Sequence, residues 1–131
     1  MEYKVQIESE TDVSRAIYQT RRCADEAGFD DAVIHMLATV ASELARNITK
    51  YAGSGTLTVA SLPEGERQGI KIIAADRGPG IEDIEKAMED SYSSSGTLGL
   101  GLPGVRRMVD EMDIDTAPDR GTTVTVRKYL L

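Results

Sequence analysis

A chain of 131 residues and 14.2 kDa suits one domain, and a domain of about this size can bury roughly two-thirds of its unfolded surface. A net charge of −7 and a pI near 4.7 leave no excess of positive charge for counterion release, which disfavours a general phosphate-backbone binder and favours a protein partner or a small ligand. The single Cys23 excludes an internal disulfide framework, and no run approaches the roughly 18 apolar residues of a membrane span, so a cytosolic protein is expected.

Tyr3, Val5 and Ile7 alternate with Lys4 and Gln6, the period of a half-buried strand. Thr11 or Asp12 can cap a following helix whose apolar stripe is Val13, Ile17, Thr20, Ala24 and Ala27, with Gly28 as its stop. Arg15, Arg21 and Arg22 on that helix read as a solvated face, and Cys23 as a small buried residue.

A second helix starts at Asp30 or Asp31 and reaches about Tyr51, with Gly53 beyond its end. At roughly 100° per residue, Val33, Leu37, Val40, Leu44 and Ile48 fall within an arc of about 80°, the face that packs inward. Glu43 and Asn47, at i and i+4, stack at the edge of that arc and look into the protein. His35, Thr39 and Arg46 point away, so His35 is expected at the surface.

Residues 55–60 and 69–75 read as two strands, with the turn chemistry of Leu62-Pro63-Glu64-Gly65-Glu66 between them. In the second strand Ile70, Ile72 and Ala74 share one face, and a period of two puts Asp76 on it as well. An aspartate that continues an apolar face needs a hydrogen-bond partner to offset its burial.

Residues 82–88 suggest a short helix, followed by the serine-rich run 89–95, too polar to pack as a core element and read as a mobile lid. Pro103 suits the first turn of a helix running to about Met112. Residues 114–117 and 122–128 form the last strands, turned by Pro118-Asp119-Arg120-Gly121, with Val124 and Val126 toward the core. This order predicts an α+β two-layer sandwich: a mixed, mostly antiparallel sheet with its helices on one face, within one domain over residues 1–131.

Gly99-x-Gly101-x-x-Gly104 matches a dinucleotide fingerprint by count, but a Ser/Gly/Thr loop precedes it where the motif requires a strand. No kinase glycine loop and no Gly-x-x-x-x-Gly-Lys-Ser/Thr run is present. Three features say more. Asp76 offers a carboxylate to an exocyclic amine, with Gly78 and Gly80 keeping the nearby backbone clear for a flat ring. Asn47 offers a neutral oxygen suited to a Mg²⁺ held mainly by phosphate and water. Gly99 and Gly101 precede a helix whose free N–H groups and dipole can meet phosphates, with Glu43 near the terminal one.

Glu43-Leu44-Ala45-Arg46-Asn47, Asp76-Arg77-Gly78-Pro79-Gly80, Gly96-Thr97-Leu98-Gly99-Leu100-Gly101 and Gly121-Thr122-Thr123 together resemble the four ATP-binding boxes of the GHKL (Bergerat-fold) superfamily. Ser42 to Asn47, Tyr51-Ala52-Gly53, Met88-Glu89-Asp90 and Gly101-Leu102-Pro103-Gly104-Val105 point within it to the short anti-sigma-factor-like serine/threonine kinases, the RsbT-type switch kinases of the bacterial stressosome.

The resemblance implies that Asp76 binds the adenine amine, Thr122 supports it through water, Asn47 holds Mg²⁺, and Gly96, Thr97, Gly99, Leu100 and Gly101 belong to a lid over the phosphates of ATP. Glu43 would be the base that orients the attacking hydroxyl of a protein substrate. A carboxylate is a weak base at neutral pH, which a loose phosphoryl-transfer transition state tolerates because it needs positioning and charge stabilisation more than early proton removal. Lys50, three residues after Asn47, stands where sensor histidine kinases of the superfamily carry a phosphate-contacting lysine, or is a surface charge. Arg106 or Arg107 reaches phosphate or partner.

The implied activity is serine/threonine phosphorylation of a STAS-domain antagonist, followed by a move to a downstream PP2C-type phosphatase. A nucleotide-dependent binding module with little turnover is the alternative, and Glu43 distinguishes them because binding alone does not require it. A detached histidine-kinase domain is the weakest reading: the only histidine is His35, and no dimerising phosphoacceptor helix is visible.

Overall fold

The computed structural model describes residues 1–63, 65, 67–80, 88 and 101–131. The expected helix over 82–88 and the serine-rich lid lie outside the described residues, Met88 excepted. Among those described, five strands and three helices run in the order β1 (Glu2–Ile7), α1 (Glu10–Ala27), α2 (Asp31–Tyr51), β2 (Gly55–Ser61), β3 (Gly69–Asp76), α3 (Gly101–Met108), β4 (Glu111–Ala117) and β5 (Gly121–Tyr129).

The strands form one sheet in the order β1-β2-β3-β5-β4, and each neighbouring pair is antiparallel. Period-two alternation sends Val5 and Ile7, Leu57 and Val59, Ile70, Ile72 and Ala74, and Val124 and Val126 into one core with the helices. The other face carries Lys4, Thr58, Ile73, Thr125 and Asp113 in register, a mostly polar surface. The expected two-layer α+β sandwich is the architecture observed, with every strand pair among the described residues antiparallel where a mixed, mostly antiparallel sheet was expected.

Helix α2 is the spine of the core. The Asp30 carboxylate caps it by accepting from the Val33 N–H at 2.9 Å. Its buried face is wider than the predicted stripe: Ile34, Ala38, Ala41, Ser42 and Ala45 join Leu37, Val40, Leu44 and Ile48, whereas Val33 is only half-buried. The reason is that α2 packs against α1 on one flank and the sheet on another. Fully burying a side chain such as Leu44 or Ile48 stabilises the fold by roughly 1.5–3 kcal/mol.

Two boundaries differ from expectation. Helix α1 begins at Glu10, with Ser9 rather than Thr11 or Asp12 as its N-cap residue. Asp12 sits inside the first turn, and its carboxylate accepts from the Glu8 N–H at 2.9 Å, tying down the chain that enters the helix. At the other end, Gly28 adopts φ +98° as the expected stop.

Helix α3 ends at Met108, not near Met112, and β4 starts at Glu111, not Ile114. Sheet pairing overrides the helical pattern there: the Asp110 N–H donates to the Arg127 carbonyl at 2.9 Å, and Met112 pairs with Val126. The alternation Glu111-Met112-Asp113-Ile114-Asp115 carries this strand in the sequence.

The arginines of α1 are exposed as expected. Arg15 pairs with Asp12, Arg22 with Glu26, and Arg21 lies 3.3 Å from Nδ1 of the exposed His35.

Candidate functional site

At one end the inner face of the sheet turns polar on β3, β5 and β4, while β1 still presents the core residue Ile7 there. Register sets Ile7, Gly55, Asp76, Thr122 and Thr116 side by side across all five strands, immediately beyond the apolar row Val5, Leu57, Ala74, Val124 and Ile114. Asp76 therefore continues the core face, as its spacing requires, and it is half-buried.

Its partners are main-chain donors. The N–H groups of Gly78 and Thr122 reach Oδ1 of Asp76 at 2.9 and 3.3 Å. Both bonds fall on that one oxygen, so the fold holds the carboxylate by Oδ1 and neither bond uses Oδ2. Such an arrangement leaves a fixed acceptor for an incoming N–H.

The glycines around Asp76 serve the protein's own packing. A Cβ at Gly78 would lie 2.6 Å from the Ala52 Cβ, so the clearance expected there for a ligand ring is taken up by the end of α2. At Gly121, with φ +83°, a Cβ would collide with the Asp76 carbonyl. The Asp119 N–H donates to the Pro79 carbonyl at 2.7 Å, tying the loop after β3 to the turn between β4 and β5.

Contact between Gly78 and Ala52 fixes how α2 lies relative to Asp76. From Ala52, at the end beside the Asp76 loop, the helix rises about 1.5 Å per residue, so Asn47 is about 7.5 Å along it and Glu43 about 13.5 Å. Asn47 and Glu43 are both half-buried on one face. A carboxylate acceptor, an amide and a second carboxylate thus succeed one another along a line suited to an extended ligand with an amine at one end and anionic groups toward the other.

At the far end Glu43 meets α3. The Gly101 N–H donates to Oε2 of Glu43 at 3.2 Å, joining residues 58 apart in sequence. Leu102, Pro103, Gly104 and Val105 are buried, and α3 packs on α2, which brings the start of α3 to Glu43. The N-terminal end of a helix carries partial positive charge and favours an anion, here the Glu43 carboxylate.

The remaining expected residues divide. Lys50 is exposed, with its ammonium 5.1 Å from the centroid of the Tyr51 ring, and Arg106 is exposed in the last turn of α3. Gly80 adopts φ +79° against Ala117. Gly96, Thr97, Gly99 and Leu100 lie outside the described residues. Among the described residues no group of three His, Cys, Asp or Glu side chains is placed to hold a metal ion. The Asn47 amide oxygen is a neutral donor of the kind that could join an ion coordinated mainly by phosphate and water.

Thr116 escaped the sequence reading. Its hydroxyl lies 2.9 Å from that of Thr122 and 3.1 Å from the Gly121 carbonyl. The signal was the hairpin turn: once Ala117 faces Gly121, residue 116 must face 122.

Residues 8–128 match the family described as histidine kinase-like ATPase domain. The chain belongs to that family. It is 44% identical over 126 residues to the serine/threonine-protein kinase RsbT of Bacillus subtilis (strain 168), covering 96% of this chain and 95% of the relative. An anti-sigma F factor of Thermoanaerobacter sp. (strain X514) is 33% identical over 79 residues, covering 58% of this chain and 54% of that protein. Among solved structures, the mycobacterial sensor histidine kinase MprB superposes with a TM-score of 0.58 at 20% identity, over 99% of this chain and 100% of the other, a likeness of fold. Of the four stretches that resemble ATP-binding boxes, 76–80 and 121–123 meet at one end of the sheet and 43–47 lies on α2, while all of 96–101 but Gly101 lies outside the described residues. No helix among the described residues is long and apolar enough to cross a membrane.

Proposed function

We propose that this chain is a single ATP-binding unit that acts in the cytoplasm as a serine/threonine protein kinase of a partner switch. It uses Mg-ATP to phosphorylate a STAS-domain antagonist or scaffold protein and then moves to a downstream regulator such as a PP2C-type phosphatase. The observation that carries the reading is the line from Asp76 past Asn47 to Glu43, which ends on the Gly101 N–H. The likeness to a relative named a serine/threonine-protein kinase over nearly the whole chain supports it.

In this reading Oδ2 of Asp76 accepts from the adenine amine, and Thr122 borders the base. The Asn47 oxygen contributes to a Mg²⁺ whose charge offsets that of the phosphates. Lys50 and Arg106 reach phosphate oxygens from the rim, and Gly96, Thr97, Gly99 and Leu100, which lie outside the described residues, are assigned to phosphate binding by the resemblance alone. The substrate hydroxyl attacks the terminal phosphorus, the bond to the bridging oxygen breaks, ADP leaves, and Glu43 takes the hydroxyl proton.

The test is transfer of radiolabelled phosphate from ATP to a STAS-domain partner by the wild type, Glu43→Ala and Asp76→Asn. Label on serine or threonine with the wild type alone is expected; equal labelling by Glu43→Ala removes that residue from the chemistry. The occupied state of Glu43, already bonded to Gly101, favours one second reading, a nucleotide-dependent binding module with slow turnover. Saturable ATP binding without any label on the partner would select it.

A further inference from the structure

Glu43 stands between two flanks of α2. On one, its carboxylate meets Gly101 of α3, and Asn47 follows it toward Asp76. On the other, about 60° around the helix from Glu43 and away from Asn47, lies Arg46, one turn along. Its guanidinium donates at 3.1 Å to Oε1 of Glu10, at the start of α1.

The nucleotide of the proposed reaction takes the α3 flank, and the inner face of α2 is closed by the core it shares with the sheet. Among the described elements, the approach to Glu43 left for an acceptor protein is the solvent side of α2 on the α1 flank, past Arg46. The side chain of Arg46 is 53% exposed and that of Glu10 71%. A pair this open to water is held weakly, since solvent and salt screen it and two long side chains must be ordered to make it. A carboxylate carried by an acceptor loses water as the two protein surfaces close, and the same guanidinium then holds it more strongly.

We propose that Arg46 is a specificity-determining residue for the acceptor: it exchanges Glu10 for a carboxylate of the acceptor protein that lies about one helical turn from the phosphorylated hydroxyl. This rests on the kinase reading of Glu43 and deepens it, by giving the accepted hydroxyl an acidic neighbour. Glu10 is then an internal competitor for Arg46. The two members of one ion pair therefore act on acceptor binding in opposite directions, which a mere staple between α1 and α2 cannot do.

The test is the steady-state kinetics of phosphate transfer from ATP to a STAS-domain partner by the full chain, with the partner as varied substrate. Arg46→Gln should raise KM for the partner by about 10-fold or more, the size of one charge-assisted hydrogen bond, while kcat and ATP affinity stay at the wild-type values. Arg46→Lys, which keeps the charge, should recover part of the loss. Glu10→Gln should lower KM by about 2- to 5-fold, and this gain should vanish when Arg46→Gln is present. A rise in KM for both single variants, or no change in either, overturns the role of Arg46. So does a gain from Glu10→Gln that survives Arg46→Gln, because Glu10 then repels the acceptor by itself. Absence of transfer by the wild type would instead overturn the kinase reading, and the acceptor role of Arg46 with it.

Discussion

Glu43 and Gly101, 58 residues apart, are joined by a hydrogen bond of 3.2 Å from the backbone N–H at the start of α3 to a carboxylate in the middle of α2. The bond puts a negative side chain where the helix end would otherwise face an anion. In the proposed kinase the terminal phosphate and Glu43 therefore compete for the same donor.

A prediction follows for Glu43→Gln. The amide oxygen can still accept from Gly101, so the α2–α3 contact persists, while the base and its charge are lost. Phosphate transfer should fall by about 10²- to 10⁴-fold. ATP affinity should rise, because a like charge beside the phosphates is gone. Radiolabel transfer and calorimetry check the two separately, and a loss of affinity that parallels the loss of rate would contradict the competition.

For Asp76 the division of labour between its two oxygens makes Asp76→Asn and Asp76→Ala differ. Asparagine can keep an oxygen toward the Gly78 and Thr122 N–H groups, and it then presents an NH₂ group where the adenine amine needs an acceptor. Asp76→Asn should retain the melting temperature within a few degrees and lose ATP affinity by about 100-fold or more. Asp76→Ala should lose both affinity and stability, since two N–H groups are left without their acceptor. Thermal melts with and without ATP distinguish the variants. Wild-type affinity in Asp76→Asn would remove Asp76 from adenine recognition.

Gly28 and Gly121 both hold left-handed backbone, at φ +98° and +83°, yet their surroundings differ. A Cβ at Gly28 meets nothing within 4 Å, whereas one at Gly121 strikes the Asp76 carbonyl and comes within 2.8 Å of the Arg77 Cα. Gly28→Ala should cost about 1 kcal/mol from the backbone alone. Gly121→Ala should cost more than this and weaken ATP binding as well, because relief of the clash moves Asp76. Urea unfolding of the two variants measures the difference, and equal destabilisation would mean that the close approach is absorbed elsewhere.

Most of this arrangement was legible along the chain. The i, i+4 pair Glu43 and Asn47 and the period-two placement of Asp76 are local facts, and the structure puts each where its spacing predicts. Less legible was anything decided between strands. The helix continuing past Val109 looked plausible on periodicity, but the Arg127 carbonyl, distant in sequence, claims the Asp110 N–H. Thr116 matters only through its register with Thr122, and Gly78 is dictated by Ala52, which a linear reading does not bring near. Pairwise geometry of this kind becomes visible in a sequence only when a turn fixes the register, as the Ala117 to Gly121 hairpin does.

Cys23 gives a pH prediction whose sign can be worked out. It is 2% exposed in the core cluster, and burial pushes its thiol above the ordinary value. In the unfolded chain the thiol ionises near its usual pKa of about 8.5, while in the folded protein it stays protonated to higher pH. Its contribution to stability is therefore fully present below about pH 8.5 and is lost as pH rises from there through the folded value. Cys23→Ala should show a shallower fall of stability than the wild type between neutral pH and pH 10, read as the difference in urea midpoints. The native thiol should also react with a disulfide reagent only as fast as the chain opens, since the thiolate is the nucleophile and needs access. Labelling of the native protein at the rate of a free thiol, or parallel pH profiles for the two proteins, would show that Cys23 is not enclosed in the core.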